Sequence, residues 1–289
     1  MLSIVLPTIN RDLFERSLGP LRAGVGDLEH EIVVVSPFEA KGAGIRWVED
    51  KERPGPPRAA QRGFEAARGE VVLVMNDDNA VTPGAIQLAY EFHGRRSAMF
   101  EPYACGLQVR PASVGTVFGL YYPYYPMIRR DSAERLGGFF DPAYGAGFCD
   151  ADLALRVWHA GGRCELAPEA WIEPTNFEYR YTEARNRQVE ADEITFVERW
   201  YGIFGQGWSR SRTEFSISLF DESEWFIDEH TICQNTPEFR RHWLFAAMAR
   251  NVAAAKSMTL ERALIRDFQR LTVWLAQELA KIPLPDRIE

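Results

Sequence analysis

Short, unbroken apolar runs mark the first part of the chain. Leu2 to Leu6 stops at Pro7, Glu31 to Val35 (EIVVV) stops at Ser36-Pro37, Ile45 to Val48 is shorter, and Val71 to Met75 (VVLVM) leads into Asn76-Asp77-Asp78-Asn79. Runs of this kind predict strands buried on both faces, as in a parallel sheet. Between them the period becomes helical. Asp12 to Leu21 carries Leu13, Phe14, Leu18 and Leu21, and Pro57 to Arg68 is entered through prolines and closed by Gly69, the usual asymmetry of helix ends. Alternating strands and helices predict right-handed βαβ units, hence an α/β fold with its ligand crevice at the C-terminal ends of the strands.

From Pro102 to Arg130 the pattern shifts to short aromatic-rich segments, including YYPYYP at Tyr121 to Pro126, which predict mixed or antiparallel sheet. Those tyrosines suit either a sugar-stacking platform or core packing, because each joins a large apolar body to a polar tip. Glycines 145 and 147 form a loop before Asp150-Ala-Asp152, a helix ending at Gly161-Gly162 follows, and Thr182 to Tyr201 reads as another helix. Near the C-terminus, Leu260, Leu264, Phe268, Leu271, Leu275 and Leu279 make one apolar stripe. It is read either as a membrane-surface helix or as packing onto the α/β domain or a dimer partner. The expected division is 1–205 for the α/β domain and 206–289 for a mainly helical extension.

Asp77 and Asp78 are the chemically conspicuous feature, because buried strands seldom deliver two adjacent carboxylates. Side by side they repel and lose solvation unless a cation offsets them, and hard oxygen ligands suit Mg²⁺ or Mn²⁺ carried in with a phosphate. The competing reading makes them solvated turn residues that cap the helix after Pro83.

Composition narrows the field. A chain of 289 residues, 46% hydrophobic, can bury a large core. The net charge of −8 argues against a general nucleic-acid binder. Cys105, Cys149, Cys164 and Cys233 are scattered without CxxC spacing, so neither a zinc site nor a disulfide framework is indicated. The opening MLSIVLPT is too short for a secretory signal, and no run reaches the roughly 18 apolar residues of a membrane span. A cytoplasmic protein is expected, with peripheral contact at the inner face of the membrane as the alternative.

Four ordered stretches resemble family 2 glycosyltransferases, inverting enzymes of the GT-A fold: LSIVLPTINR (Leu2 to Arg11), AAQRGFEAARGEVVLVMNDDN (Ala59 to Asn79), RRDSAERLGGFFD (Arg129 to Asp141) and CDADLALRVWHAGG (Cys149 to Gly162). The resemblance implies a GT-A type, Rossmann-like, mostly parallel sheet flanked by helices, with a helical C-terminal extension. It also implies transfer of a sugar from a nucleoside-diphosphate donor, most readily a UDP-sugar, to a saccharide or glycolipid hydroxyl in polysaccharide biosynthesis, assisted by Mn²⁺ or Mg²⁺. Carried residue by residue, it makes Asp78 the metal ligand and puts Asp77 on the ribose or a bridging water. Pro7, Thr8, Asn10, Arg11, Ser36 and Asn76 face the donor, and the backbone of Gly137 and Gly138 approaches the donor sugar or acceptor. Asp150 is the general base. On the residues alone, Asp150 and Asp152 can each cap the helix they open; catalysis is assigned to Asp150 and capping to Asp152. Arg58 and Arg62 either approach the phosphates or solvate their helix.

Several positions depart from the family pattern. Ser36-Pro37 replaces the usual acids after the second strand, Asn76 replaces the first acid of the Asp-x-Asp spelling, and Cys149 replaces the acid before the base. A downstream His is missing, with Glu173 and Asn176 the nearest polar residues. These departures motivate the alternative of a non-catalytic binding or scaffold subunit.

Overall fold

The computed structural model describes residues 1–109, 113–117, 120–174, 183–204, 214–221 and 224–229. The element order is β1 (Leu2–Pro7), α1 (Arg11–Val25), β2 (His30–Ser36), β3 (Ile45–Glu49), α2 (Pro56–Ala66), β4 (Val71–Val74), β5 (Asn79–Val81) and α3 (Ala85–Ser97). There follow β6 (Tyr103–Val109), β7 (Ser113–Val117), β8 (Leu120–Tyr121), β9 (Met127–Arg129), α4 (Arg130–Arg135), α5 (Cys149–His159), β10 (Arg163–Pro174), α6 (Glu183–Phe204), β11 (Glu214–Asp221) and β12 (Glu224–Glu229). The sheet runs β12-β11-β7-β6-β9-β4-β1-β2-β3, with β10 joined to β5 and β6 and β8 joined to β7.

The apolar runs of β1, β2 and β4 became strands because both of their faces are covered, while β3, at the end of the strand order, is half-buried. β4, β1, β2 and β3 are mutually parallel, and β9 lies antiparallel between β4 and β6. Alternation then sorts the side chains. Leu2, Ile4, Leu6, Ile32, Val34, Val71 and Leu73 share one core with α1 and α3. Val5, Val33, Val72 and Val74 point the other way, into a second core with Phe64 of α2 and Leu153, Val157 and Trp158 of α5.

Gly69 does not close α2, which ends at Ala66. It is required by a close approach to β1, where a Cβ would stand 2.6 Å from the Ser3 nitrogen. Its N–H donates to Ser3 Oγ at 2.7 Å, and Ser3 in turn donates to the buried Glu31 carboxylate at 2.7 Å. Beyond residue 205 the sheet continues: β11 pairs antiparallel with β7 and β12, so residues 214–221 and 224–229 of the expected helical extension are strands. The stripe from Leu260 to Leu279 lies outside the described residues, as does Asn176. Among the described residues no helix is long and apolar enough to cross a membrane.

Candidate active site

Thr8 follows β1 and Asp77 follows β4, and because these strands are parallel neighbours both residues emerge at one edge of the sheet. Thr8, 5% exposed, donates from Oγ1 to Asp77 Oδ2 at 2.5 Å. Its own N–H is held by the Val35 carbonyl at the end of β2, so three strand ends fix the contact. Burial pushes the Asp77 carboxyl up from its ordinary range; the Thr8 hydrogen bond pulls it back, and the charge of Asp78 adds to the rise.

The acids do not cap the following helix. Strand β5 intervenes, and α3 begins after Gly84 in a left-handed conformation with no side-chain cap. Instead Asn79, 3% exposed, donates from Nδ2 to Asp78 Oδ1 at 2.8 Å while accepting from the Tyr125 hydroxyl at 3.0 Å. The aromatic segment thus reaches the acidic turn through Asn79. Elsewhere it packs: Tyr122 is buried and meets Tyr124 edge to face.

The donor-facing residues expected after β1 and β2 are partly committed locally. Asn10 caps α1, its Oδ1 accepting from Asp12 N and Leu13 N at 3.0 and 3.2 Å. Arg11 lies over the Phe38 ring, 4.6 Å from its centroid. Ser36 is fully buried and donates to the Phe38 carbonyl at 2.5 Å, fixing the loop on which that ring sits. Pro7 ends β1 in register with Val35. Ile9, between Thr8 and Asn10, is 65% exposed at this edge, and Asn76 is exposed too.

The arginines of α2 bind protein groups. Arg62 pairs with the buried Asp50 at 2.6 Å and with Glu52 at 3.3 Å, and Arg58 donates to the Pro142 carbonyl at 2.6 Å. Gln61, on the same helix, accepts from Phe140 N at 3.0 Å beside Gly137 and Gly138, whose φ values of 90° and 119° suit glycine. Gly138 is also constrained by space, since a Cβ would lie 3.2 Å from Gln61 Nε2.

Asp150 stands in the first turn of α5. The loop before it reaches the same sheet edge as Thr8 and Asp77: Gly55, between β3 and α2, packs so tightly on Gly145 that a Cβ there would fall 2.0 Å from the Gly145 oxygen. Cys149, just before Asp150, is a buried thiol pushed well up by burial and by the charge of Asp150. Asp152 does not cap α5. That helix starts after Phe148, again left-handed without a side-chain cap. Asp152 is fully buried and accepts from Tyr144 Oη (3.2 Å), Arg156 Nε (2.8 Å), Arg199 Nη1 (2.8 Å) and Trp200 Nε1 (3.1 Å). A carboxylate can be buried only when so compensated, and two of these donors come from α6, which no local rule could bring in.

The donor set suits a hard divalent ion. Asp77 and Asp78 offer adjacent carboxylate oxygens, and burial together with the charge of Asp78 raises the cost of ionising Asp77. No group of three His, Cys, Asp or Glu gathers to hold a metal among the described residues. An ion preferring six oxygens would therefore take most of its shell from phosphate and water.

A family model described as glycosyl transferase family 2 matches residues 3–153. Among solved structures, the chain resembles a mannosyltransferase, PcManGT from Pyrobaculum calidifontis in complex with GDP-Man and Mn²⁺, at 16% identity and TM-score 0.54, covering 96% of this chain and 84% of that one. GalNAc-T7 with UDP, GalNAc and Mn²⁺ gives 12% identity and TM-score 0.52 over 70% of this chain and 49% of that one. S. aureus TarS 1-349 with UDP-GlcNAc gives 13% and 0.50 over 68% and 66%, so the chain spans less than two thirds of the latter two. No curated protein matches it.

Proposed function

The chain belongs to glycosyl transferase family 2 and has the GT-A fold of a glycosyltransferase, and from that membership we propose that it inverts a sugar during transfer from a nucleoside-diphosphate donor, a UDP-sugar first, to a saccharide or glycolipid hydroxyl. The observation supporting this is convergence: the Thr8–Asp77 hydrogen bond joins the loop after β1 to the acidic turn after β4, and the Gly55–Gly145 contact draws the Asp150 loop to the same edge.

In this reading Asp150 takes the proton of the acceptor hydroxyl as its oxygen attacks the anomeric carbon, and the bond to the diphosphate oxygen breaks on the opposite face. Asp78 would hold Mn²⁺ or Mg²⁺, which when bound supplies positive charge against that developing on the diphosphate. Asn79 orients Asp78, and Thr8 fixes Asp77 toward the ribose. Pro7, Asn10, Arg11, Ser36 and Asn76 border the base and ribose, the backbone of Gly137 and Gly138 lies toward the sugar, and Arg58 and Arg62 flank this edge while holding its loops. A buried neutral Cys149 leaves the proton to Asp150.

Thermal unfolding with a panel of nucleotides tests the reading. At a hundredfold excess over its dissociation constant, UDP should stabilise the fold by about 2.7 kcal/mol with Mn²⁺ present and by less after chelation. Asp150→Asn should keep that response and lose hydrolysis of every UDP-, dTDP- and GDP-sugar. Absence of any nucleotide response would overturn the proposal and favour a non-catalytic binding role.

A further inference from the structure

The loop that carries Asp150 is held by a buried carboxylate from a distant helix. Asp192 of α6 is 1% exposed, yet no arginine or lysine is paired with it among the described ion pairs. Its charge is met by backbone. Gly145 N donates to both oxygens at 3.0 and 3.1 Å, and Ala146 N and Gly147 N donate to Oδ2 at 2.6 and 2.8 Å. Gln188, one turn earlier, adds Nε2 at 2.9 Å. Three consecutive N–H groups turned onto one anion form a concave nest, and bonds to an ionised acceptor are the stronger kind.

One face of α6 makes the whole grip. Gln188, Asp192 and Phe196 recur every four residues, and Arg199 and Trp200 follow on the next turn. Gln188 fills the space a Gly145 side chain would need, Phe196 packs on Phe148 with ring centroids 5.3 Å apart, and Arg199 and Trp200 hold Asp152. Both sides of Asp150 are thereby tied to α6: the loop through Asp192, the helix through Asp152. Yet α6 lies wholly beyond residue 153, where the family match ends.

We propose that Asp192 is a positioning residue that sets the conformation of the Gly145–Gly147 loop and so the place of Asp150; this rests on Asp150 being the base. Asp192→Asn keeps the volume and one acceptor oxygen but loses the charge that draws three donors together. It should lower kcat for the donor that the unmodified protein hydrolyses, among UDP-, dTDP- and GDP-sugars, by about tenfold or more, the scale set by small misplacements of a reacting group. Its UDP–Mn²⁺ dissociation constant should stay within about twofold. Amide exchange in a peptide covering residues 141–148 should quicken, while the peptide covering β1 does not change.

Unchanged kcat, or a loss of kcat matched by equal losses of UDP affinity and of protection in β1, would overturn the inference. Asp192→Ala, which removes every acceptor, should fall further in kcat or fail to fold; the Asn variant decides the matter in either case. Hydrolysis retained by Asp150→Asn would overturn the reading of the base itself. It is distinguishable because Asp192 is intact in that variant.

Discussion

Thr8 and Asp77, 69 residues apart in sequence, are joined by a 2.5 Å hydrogen bond in which the threonine hydroxyl donates to the carboxylate. Asp77 depends on this contact, because it is half-buried beside a like charge and Thr8 supplies the side-chain hydrogen bond that offsets its burial. Thr8→Val keeps the shape and removes the donor. A hydrogen bond to a charged group is worth about 1.5–3 kcal/mol, so urea unfolding should show a loss on that scale with an unchanged slope. Thr8→Ser should recover most of it. A valine variant as stable as the parent would mean the bond carries no weight.

Asp77→Asn should behave oppositely. The folded carboxyl is raised above its unfolded value, so its contribution to stability is present below the unfolded pKa and lost as pH rises through the folded one. At neutral pH the ionised side chain is therefore a burden on the empty protein. The amide, which still accepts from Thr8, should raise Tm without nucleotide by on the order of 2 °C, while the UDP response weakens both with Mn²⁺ and after chelation. A fall in Tm would show that Asp77 is stabilising as a charge.

Gly55→Ala tests the seam between α2 and the Asp150 loop. Position 55 has φ of 101°, and the added carbon would lie 2.0 Å from a backbone oxygen of Gly145. Neither strain nor collision can be relieved by a side-chain rotation, so a loss of roughly 2 kcal/mol or more is expected, with slower donor hydrolysis as the loop is displaced. Gly84→Ala is the control: it has positive φ and open space around it, and should cost less.

The strands were legible because burial on both faces leaves an unbroken apolar run, and β1, β2 and β4 follow theirs. The acidic turn was legible as an anomaly at a strand end. Its partners were not: Thr8 meets Asp77 only through the register of β1 on β4, and Asn79 lies between Asp78 and Tyr125 only after β5 has paired with β10. Asp152 reads locally as a helix cap, yet tertiary donors from α6 claim it. On α6 itself, Gln188, Asp192 and Arg199 are polar and look like a solvated face; only a buried partner reveals them as the gripping side. Periodicity detects apolar burial, and this helix holds the loop and Asp152 through polar groups beside a single ring contact, Phe196 on Phe148.

Asp152→Ala should be among the most damaging single changes. It leaves Arg156 and Arg199, both largely buried, without the anion they share, and only Arg199 keeps another carboxylate, Asp141, among the described ion pairs. Removing one member of a buried ion pair costs about 3–5 kcal/mol, readable in urea unfolding. Adding Arg156→Met to Asp152→Ala should recover part of the loss, since Asp152 is the one carboxylate paired with Arg156 among the described ion pairs, whereas Arg199 keeps Asp141 at 2.7 Å. Equal stabilities for the single and double variants would show that Arg156 is satisfied by its carbonyl contacts without Asp152.

His93 should make the fold acid-sensitive before its carboxylates do. The ring is 1% exposed, its Nε2 has no hydrogen-bond partner among the described residues, and it packs against Tyr103 with centroids 5.4 Å apart. Burial pushes its pKa down to about 4 against a backbone hydrogen bond at Tyr103 that pulls it up, with the charge of Arg129 adding to the fall. The unfolded chain therefore takes up a proton near pH 6.5 that the folded protein refuses until about pH 4, and stability falls across that window by about 3 kcal/mol. Glu31 acts lower. Burial raises its pKa, but hydrogen bonds from Ser3, the Arg68 amide and Arg46 outweigh that and leave it below 4.5, so its contribution is present above 4.5 and goes as pH falls through its folded value. The two are separable: His93→Phe should flatten the unfolding free energy between pH 6.5 and 4.5 and leave the steeper loss below it. A parent protein already flat across that upper range would show that the ring finds a proton acceptor or water within the fold.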